Sequence, residues 1–551
     1  MATHAVFNQP PPFAAYDLLA SDPPLAGSLE RWGGGEAPDV VDLARIAAGP
    51  AAFGWAEQAD RCPPLLRAHD RVGNRIDEVE YHPAYHQLMT VAVGHGLTAE
   101  PWTLPPDSGA HLRRAAGFYL WSQVENGHLC PVSMTYAAGP ALRHTPEVAA
   151  TWVPKLASRT YDPALAPIAG KPGAIAGMGM TEKQGGSDVR ANTTTAAPDP
   201  TGPLGPGSHV LRGHKWFCSA PMSDAFLVLA QAPGGLSCFL LPRVLPDGTR
   251  NGLAIQRLKD KLGNRSNASS EVEFDGTWAV LVGEEGRGIR TIIDMVAATR
   301  LDCILGSAAT MRQALLRAVH HTSHRAAFGA RLIDQPLMRN VLADLALESE
   351  AATVLAMRLA HAIDAGEGDL ARLGVAIGKF WVCKRTAPMV AEALECLGGL
   401  GYVEENGLAR LYREAPLNSI WEGSGNVNAL DVVRAITREP ASVAALVKEC
   451  TLARGVDARL DAAIDAIEPL ATSAYAADGP LLARSLVERL AVTLQAALMV
   501  RHTPPAVAEA FLGSRLGGDH GASFGTLTPA IVSAAAATLI ERSTPQAASP
   551  A

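Results

Sequence analysis

One carboxylate in this chain stands between apolar bulk and small flexible residues, in the run Asn418-Ser419-Ile420-Trp421-Glu422-Gly423-Ser424-Gly425-Asn426. Burial beside Ile420 and Trp421 would raise the pKa of Glu422, and Gly423 and Gly425 would let a flat ligand approach the backbone. Removing a proton from carbon needs a base in that setting. The plain structural alternative is a glutamate at a helix start beside a glycine turn. Four other segments carry residues of comparable interest. Gly177-Met178-Gly179-Met180-Thr181-Glu182-Lys183-Gln184-Gly185-Gly186-Ser187-Asp188 and Gly213-His214-Lys215-Trp216-Phe217-Cys218-Ser219 flank a region that alternates like strands. Further on come Arg325-Ala326-Ala327-Phe328-Gly329, with Gln335 six residues later, and Leu397-Gly398-Gly399-Leu400-Gly401-Tyr402.

In this order, from residue 177 to residue 426, the five segments resemble the signatures of the acyl-CoA dehydrogenase flavoproteins. The finer resemblance is to the AidB branch, the alkylation-response homologues. It rests on the uninterrupted Gly177 to Asp188 run, on Lys259-Asp260-Lys261-Leu262-Gly263-Asn264-Arg265-Ser266-Asn267-Ala268, and on Thr3-His4 through Val6-Phe7-Asn8-Gln9-Pro10. It extends over nearly the whole chain and weakens after about residue 440.

The resemblance implies an α+β fold, mostly α: an N-terminal helical domain (1–168), a β-barrel-like domain (169–285), a helical bundle carrying FAD motifs (286–439) and an additional C-terminal helical domain (440–551). It implies FAD, with Met180 and Thr181 on the isoalloxazine, Gly186 and Ser187 closing beside it, and Trp216 and Ser219 covering its other side. Arg325, Phe328, Gln335, Gly398 and Gly399 would reach the adenine and pyrophosphate of FAD bound mainly to a neighbouring subunit, which implies a homotetramer. Trp421, Ser424 and Asn426 complete the implied cofactor contacts, and Glu422 is the implied base. Without the surrounding motifs, Trp216 reads as a core residue of a β-domain and Gly398-Gly399 as a helix C-cap. Some members carry their base on another helix, at a position that here reads Thr299, so Glu422 is the only base the motifs supply. Ser424-Gly425-Asn426 replaces the Thr-Asn-Gln often found after the base, a departure that bears on the substrate rather than on the base.

Size and charge agree with a multidomain enzyme. A chain of 551 residues is too long for one core. Its 47 Lys and Arg against 55 Asp and Glu give a net charge of −8, so nucleic acid could be held only by a local patch. Eight cysteines show neither a C-x-x-C pair nor zinc spacing, which suggests a reducing compartment. No basic, apolar leader opens the chain and no uncharged run reaches membrane-spanning length, so a cytoplasmic location is expected.

Periodicity supplies the elements. Helical spacing from about 36 to 165 gives way to strand-like runs between about 170 and 283, among them Ala225 to Ala230, Ser237 to Leu241 and Val272 to Phe274. Helical patterns return from Gly288 to about 438, including Leu342 to Glu348 and Lys379 to Lys384, and Pro440 marks a break. Beyond it the chain is Ala- and Leu-rich, with a loop from Gly517 to Pro529, a last apolar helix and a tail expected to be disordered from about 543. His320, His321 and His324 read as a solvated helix face rather than a metal site.

The AidB resemblance further implies binding of double-stranded DNA through the C-terminal helical domain and an association with the alkylation-damage response. Arg434 and Arg438 are the candidate contacts, yet ten basic residues from Arg434 onward face eleven acidic ones. Phosphate contacts therefore require a one-sided arrangement of the arginines. Three functions follow from the sequence: an AidB-type FAD oxidoreductase using Glu422, a vestigial flavoprotein that binds and shields DNA, or an ordinary short- or medium-chain acyl-CoA dehydrogenase with no DNA role.

Overall fold

The computed structural model describes residues 3–13, 16–33, 37–476 and 478–547. The chain forms two compact units from interleaved stretches: 51–105 with 124–302, and 1–50 with 106–123 and 303–551. The stretch expected to be one N-terminal helical domain, 1–168, is shared between them.

The first unit is built on a barrel. Its strands are β1 (Ala176–Gly179), β2 (Thr195–Pro198), β3 (Ser208–Ser219), β4 (Ala225–Ala232), β5 (Gly235–Pro242), β6 (Leu253–Leu258) and β7 (Ser269–Val282). Strands β4, β5, β7, β3 and β2 pair in that order, and β2 returns to β4 through Thr195 and Gln231, so the sheet closes. Closure removes the exposed edges that invite aggregation. Strand β1 joins β4 in parallel and β6 joins β7. Residues Ala225 to Ala230 of β4 are all buried, and so are Ser237 to Pro242 of β5, which is why these strands read as apolar runs rather than strict alternations. Helices Pro83–Gly94, Leu129–Leu142 and Pro146–Leu156 belong to the same unit.

The helical spacing expected between 36 and 165 is interrupted by a hairpin, Leu65–His69 with Arg75–Glu80. Asp70 makes its turn, the Oδ1 atom accepting from the N–H groups of Val72 and Asn74 at 2.9 Å each. This is a correction to the sequence reading: a short alternating pair was hidden inside a helix-rich stretch.

The second unit is helical. It contains residues 303–324 of α1 (Gly288–His324), then α2 (Pro336–Asp364), α3 (Gly368–Glu395), α4 (Gly425–Arg438), α5 (Gly479–His502) and α6 (Pro529–Glu541), with shorter helices between them. Helix α2 is buried continuously from Leu342 to Ala360, each fully buried leucine contributing roughly 1.5–3 kcal/mol. Its buried carboxylates consequently need cations. Arg515 reaches Asp344 at 2.6 Å and Glu348 at 3.1 Å, Arg385 reaches Glu348 at 3.0 Å, and Arg542 pairs with Glu350. Two of these arginines come from the last forty residues, so the C-terminal segment is fastened to α2 by charge as well as by apolar packing.

The tail is more ordered than its composition suggests. Ser543 is buried, and Gln546–Ala547 pairs with Tyr16–Asp17. Arg312, buried at 3.4 Å from Asp22, donates to the carbonyl of Arg542 at 2.8 Å. The disorder expected from about 543 is thus corrected through residue 547, and residues 548–551 lie outside the described residues.

Candidate functional site

In the barrel unit, β1 delivers Met180 and Thr181 beside the end of β3. The N–H of Trp216 donates to the carbonyl of Thr181 at 2.8 Å, and Asn192 Nδ2 donates to that of Met180 at 2.9 Å. Gly186 folds back on Thr181 so closely that a Cβ there would stand 2.3 Å from the Thr181 hydroxyl. Met180, Thr181, Trp216 and Ser219 are half-buried, while Gly186 and Ser187 are exposed. The Lys259 ammonium lies 3.9 Å from the centre of the Trp216 ring while pairing with Glu271 at 2.7 Å. The two motifs that the resemblance places around one ring therefore meet in one patch.

Under the patch lies an ion pair that sequence reasoning missed. Glu182 and Lys215, both wholly buried, meet at 2.8 Å. The Lys215 ammonium also donates to the carbonyl of Leu229 at 2.7 Å. Glu182 accepts further bonds from the N–H groups of Thr193 (2.7 Å) and Thr194 (3.1 Å), the Thr193 hydroxyl (2.9 Å) and Gln184 (2.8 Å). Burial alone would raise its pKa. The Lys215 bond and the backbone donors outweigh that and hold the carboxyl well below the usual carboxylate range. Both residues stand inside quoted motifs, and their opposite charges were the available signal.

In the helical unit, the Glu422 run leads into α4. Glu422 has φ 55° and Gly423 φ 95°, so a non-glycine residue occupies the left-handed region immediately before the helix. Glu422 and Trp421 are half-buried, and Trp421 Nε1 donates to Asn418 Oδ1 at 2.8 Å. Ile420 is 62% exposed, so within the chain it does not supply the desolvation expected of it. Ser424 is exposed at the N-cap of α4 without a side-chain cap bond, and Arg484 donates to Asn426 Oδ1 at 3.0 Å. Lys384 packs against Gly425, and its pKa is lowered by burial and by the neighbouring charges of Arg484 and Lys379.

The same unit holds Arg325, Phe328 and Gln335 in and beside a small hairpin, Ala326–Ala327 with Ala330–Arg331. Gln335 Nε2 ties it by donating to the Ala327 carbonyl at 2.7 Å. Asn8 clamps it from the other end of the chain: Asn8 Nδ2 donates to the carbonyl of Ala326 at 2.8 Å, its Oδ1 accepts from Ala326 N–H at 2.7 Å, and its carbonyl accepts from Arg325 at 2.8 Å. The N-terminal signature and the arginine signature are thus one local structure. Phe328 is 98% exposed. Gly398 follows the end of α3 at φ 59°, where glycine is favoured, and the space that side chains would occupy at Gly398 and Gly399 is open within the chain.

Residues 8–163 match the family described as the adaptive response protein AidB N-terminal domain, 177–277 the acyl-CoA dehydrogenase middle domain and 286–437 the acyl-CoA dehydrogenase C-terminal domain. Over 515 residues, 92% of this chain and 94% of the relative, the sequence is 45% identical to AidB of Escherichia coli. The chain belongs to the AidB branch of the acyl-CoA dehydrogenase family. A solved structure of Caenorhabditis elegans ACDH-11 in complex with C11-CoA shares 26% identity and a TM-score of 0.83, covering 94% of this chain and 93% of that one. An acyl-CoA dehydrogenase from Bacillus anthracis complexed with FAD shares the fold at 19% identity and a TM-score of 0.60, covering 78% and 76% of the two chains.

As a member of this family the chain is an FAD-dependent, acyl-CoA dehydrogenase-like oxidoreductase. The barrel patch fits a flat ring system: Gly186 is tight against Thr181 as close backbone approach requires, and Trp216 is fixed to Thr181 by its own N–H. The remaining candidates divide. Thr299 is buried and donates to Val296 O at 3.1 Å within α1. His321 is buried rather than solvated, while His320 Nε2 lies 2.9 Å from the Pro11 carbonyl, and no His, Cys or acid cluster suited to a metal occurs among the described residues. None of the eight cysteines forms a disulfide, and among the described residues no helix is long and apolar enough to cross a membrane. Arg434 is exposed at 3.6 Å from Asp431, and Arg438 is exposed.

Proposed function

We infer that this oxidoreductase desaturates acyl-CoA thioesters, with Glu422 as the base that removes the α-proton. The observation that carries the reading is the backbone of Glu422, whose left-handed conformation costs about 1–3 kcal/mol in a non-glycine residue and persists only where surroundings enforce it. As the α C–H bond breaks, its proton passes to the Glu422 carboxylate and its electron pair forms the α,β double bond while the β-hydride leaves. Bound FAD supplies the acceptor for that hydride at N5. Met180, Thr181, Gly186, Ser187, Trp216 and Ser219 would hold the isoalloxazine, and Trp421, Ser424 and Asn426 would add contacts beside the base. The exposed Phe328 and the open faces of Gly398 and Gly399, with Arg325 and Gln335, would grip the adenine and pyrophosphate of a neighbouring subunit's FAD in a homotetramer. Eight cysteines without a disulfide support a cytoplasmic location. Anaerobic titration of the purified yellow protein with straight-chain acyl-CoA thioesters tests the reading. Bleaching of the flavin by at least one is expected, and no bleaching across the series contradicts it.

The finer AidB character is a weak, sequence-independent affinity for duplex DNA, by which the protein would take part in the alkylation-damage response. Charge pairing limits it: Arg454, Arg459, Arg501, Arg515 and Arg542 are each tied to an acid of the chain. Exposed Arg438 on α4, with exposed Lys448, Arg484 and Arg489, remains for phosphates, joined by exposed Arg434, whose contact with Asp431 is long at 3.6 Å. Affinity is expected to fall steeply with salt, and Arg434→Ala with Arg438→Ala to flatten the salt slope by about one to two counterions while leaving the flavin spectrum intact. Absence of binding at about 50 mM salt, where phosphate contacts are strongest, would assign the C-terminal helices to assembly alone.

A further inference from the structure

Lys379 lies on α3 and is only 1% exposed, and its ammonium meets no carboxylate among the described residues. A buried ammonium is costly unless its charge is answered. Here the answer is two main-chain carbonyls: Lys379 Nζ donates to the carbonyl of Trp421 at 2.7 Å and to that of Gly423 at 2.6 Å. These are the carbonyls on either side of Glu422. A peptide bond is planar and trans, and no cis bond occurs among the described residues, so each carbonyl fixes the opposite direction of the N–H that follows it. One cation therefore sets two peptide planes, Trp421–Glu422 and Gly423–Ser424, which bracket residues 422 and 423 and so restrict the direction in which the Glu422 side chain leaves the backbone. Asn428 Nδ2 adds a bond to the same Gly423 carbonyl and another to Ser424 O at 3.1 Å.

We propose that Lys379 is the positioning residue of the catalytic loop, a charged clamp that holds Glu422 in its left-handed conformation. Its role rests on the reading of Glu422 as the base, but the clamp itself can be measured without turnover. Charge-assisted bonds are stronger than neutral ones, and removing their donor strips the Trp421 carbonyl of its bond from Lys379 and leaves the Gly423 carbonyl with Asn428 alone. Lys379→Met preserves length and bulk while deleting both donors and the charge.

Two readouts on FAD-loaded protein test the clamp. Hydrogen exchange of the peptide amides between Trp421 and Asn428 is expected to quicken about tenfold or more in Lys379→Met, and to stay at the wild-type rate in Glu422→Gln. In single turnover with the acyl-CoA that best bleaches the wild type, Lys379→Met is expected to slow flavin reduction by about 10²-fold, as loss of catalytic geometry does, with the thioester's dissociation constant little changed. If Glu422→Gln reduces its flavin at the wild-type rate, the assignment of the base fails while the exchange measurement still judges the clamp. Wild-type exchange in the 421–428 segment of Lys379→Met overturns the proposal. Should that variant yield no flavin-loaded protein, Lys379→Gln, which keeps one shorter donor, decides the matter: faster exchange supports the clamp and unchanged exchange overturns it.

Discussion

Glu422→Gln is expected to slow reduction of the flavin by acyl-CoA roughly 10²–10⁴-fold, the range supplied by a positioned acid–base group, while FAD stays bound. The substitution keeps shape and size and deletes only the basicity. Since Lys379 and Asn428 hold the main chain around residue 422 rather than its carboxylate, the loop should survive the change. A stopped-flow comparison of the two proteins at one thioester concentration measures the effect. Loss of the flavin together with the activity would instead make Glu422 a structural residue of the loop.

Lys215→Met is expected to destabilise the barrel unit by about 3–5 kcal/mol, because removing one partner of a buried pair strands the other charge. Glu182 would keep its bonds from Thr193, Thr194 and Gln184 but lose the one cation that meets it among the described residues. Thermal or urea unfolding followed by tryptophan fluorescence reads the loss, and an unchanged midpoint would show the pair to be dispensable. The double variant Lys215→Met with Glu182→Gln should recover part of it, since no bare carboxylate then remains buried. The pair also has a pH signature. Glu182 is held below its ordinary pKa, so its contribution is complete above the unfolded value of about 4.3 and is lost as pH falls below that. Acid unfolding of the wild type should therefore be steeper than that of the double variant.

What the sequence disclosed was what short spacing can carry. The strands at Ala225, Ser237 and Val272 and the helices through Leu342 and Lys379 follow from local periodicity, and the five motifs named the family. Other features were silent because they depend on partners far apart in the chain. Asn8 meets Arg325 across 317 positions, and Lys379 meets Trp421 across 42. Nothing in either segment alone announces the other. The hairpin at Leu65–Glu80 was masked by the helices around it, and the exposure of Ile420 reflects the direction of a loop rather than the hydrophobicity of a residue. Lys379 was legible as a helical residue and illegible as a clamp, because its partners are carbonyls that every residue possesses.

The central claim is that this chain removes an α-proton from an acyl-CoA thioester by means of Glu422. Its most direct measurement is single-turnover flavin reduction with a thioester deuterated at the α-carbon, run beside the unlabelled compound on FAD-loaded wild-type protein. Slower reduction with the α-deuterated thioester is expected, since cleavage of that C–H bond is the step assigned to Glu422. Equal rates for the two thioesters, or a Glu422→Gln variant that reduces its flavin as fast as wild type, would contradict it.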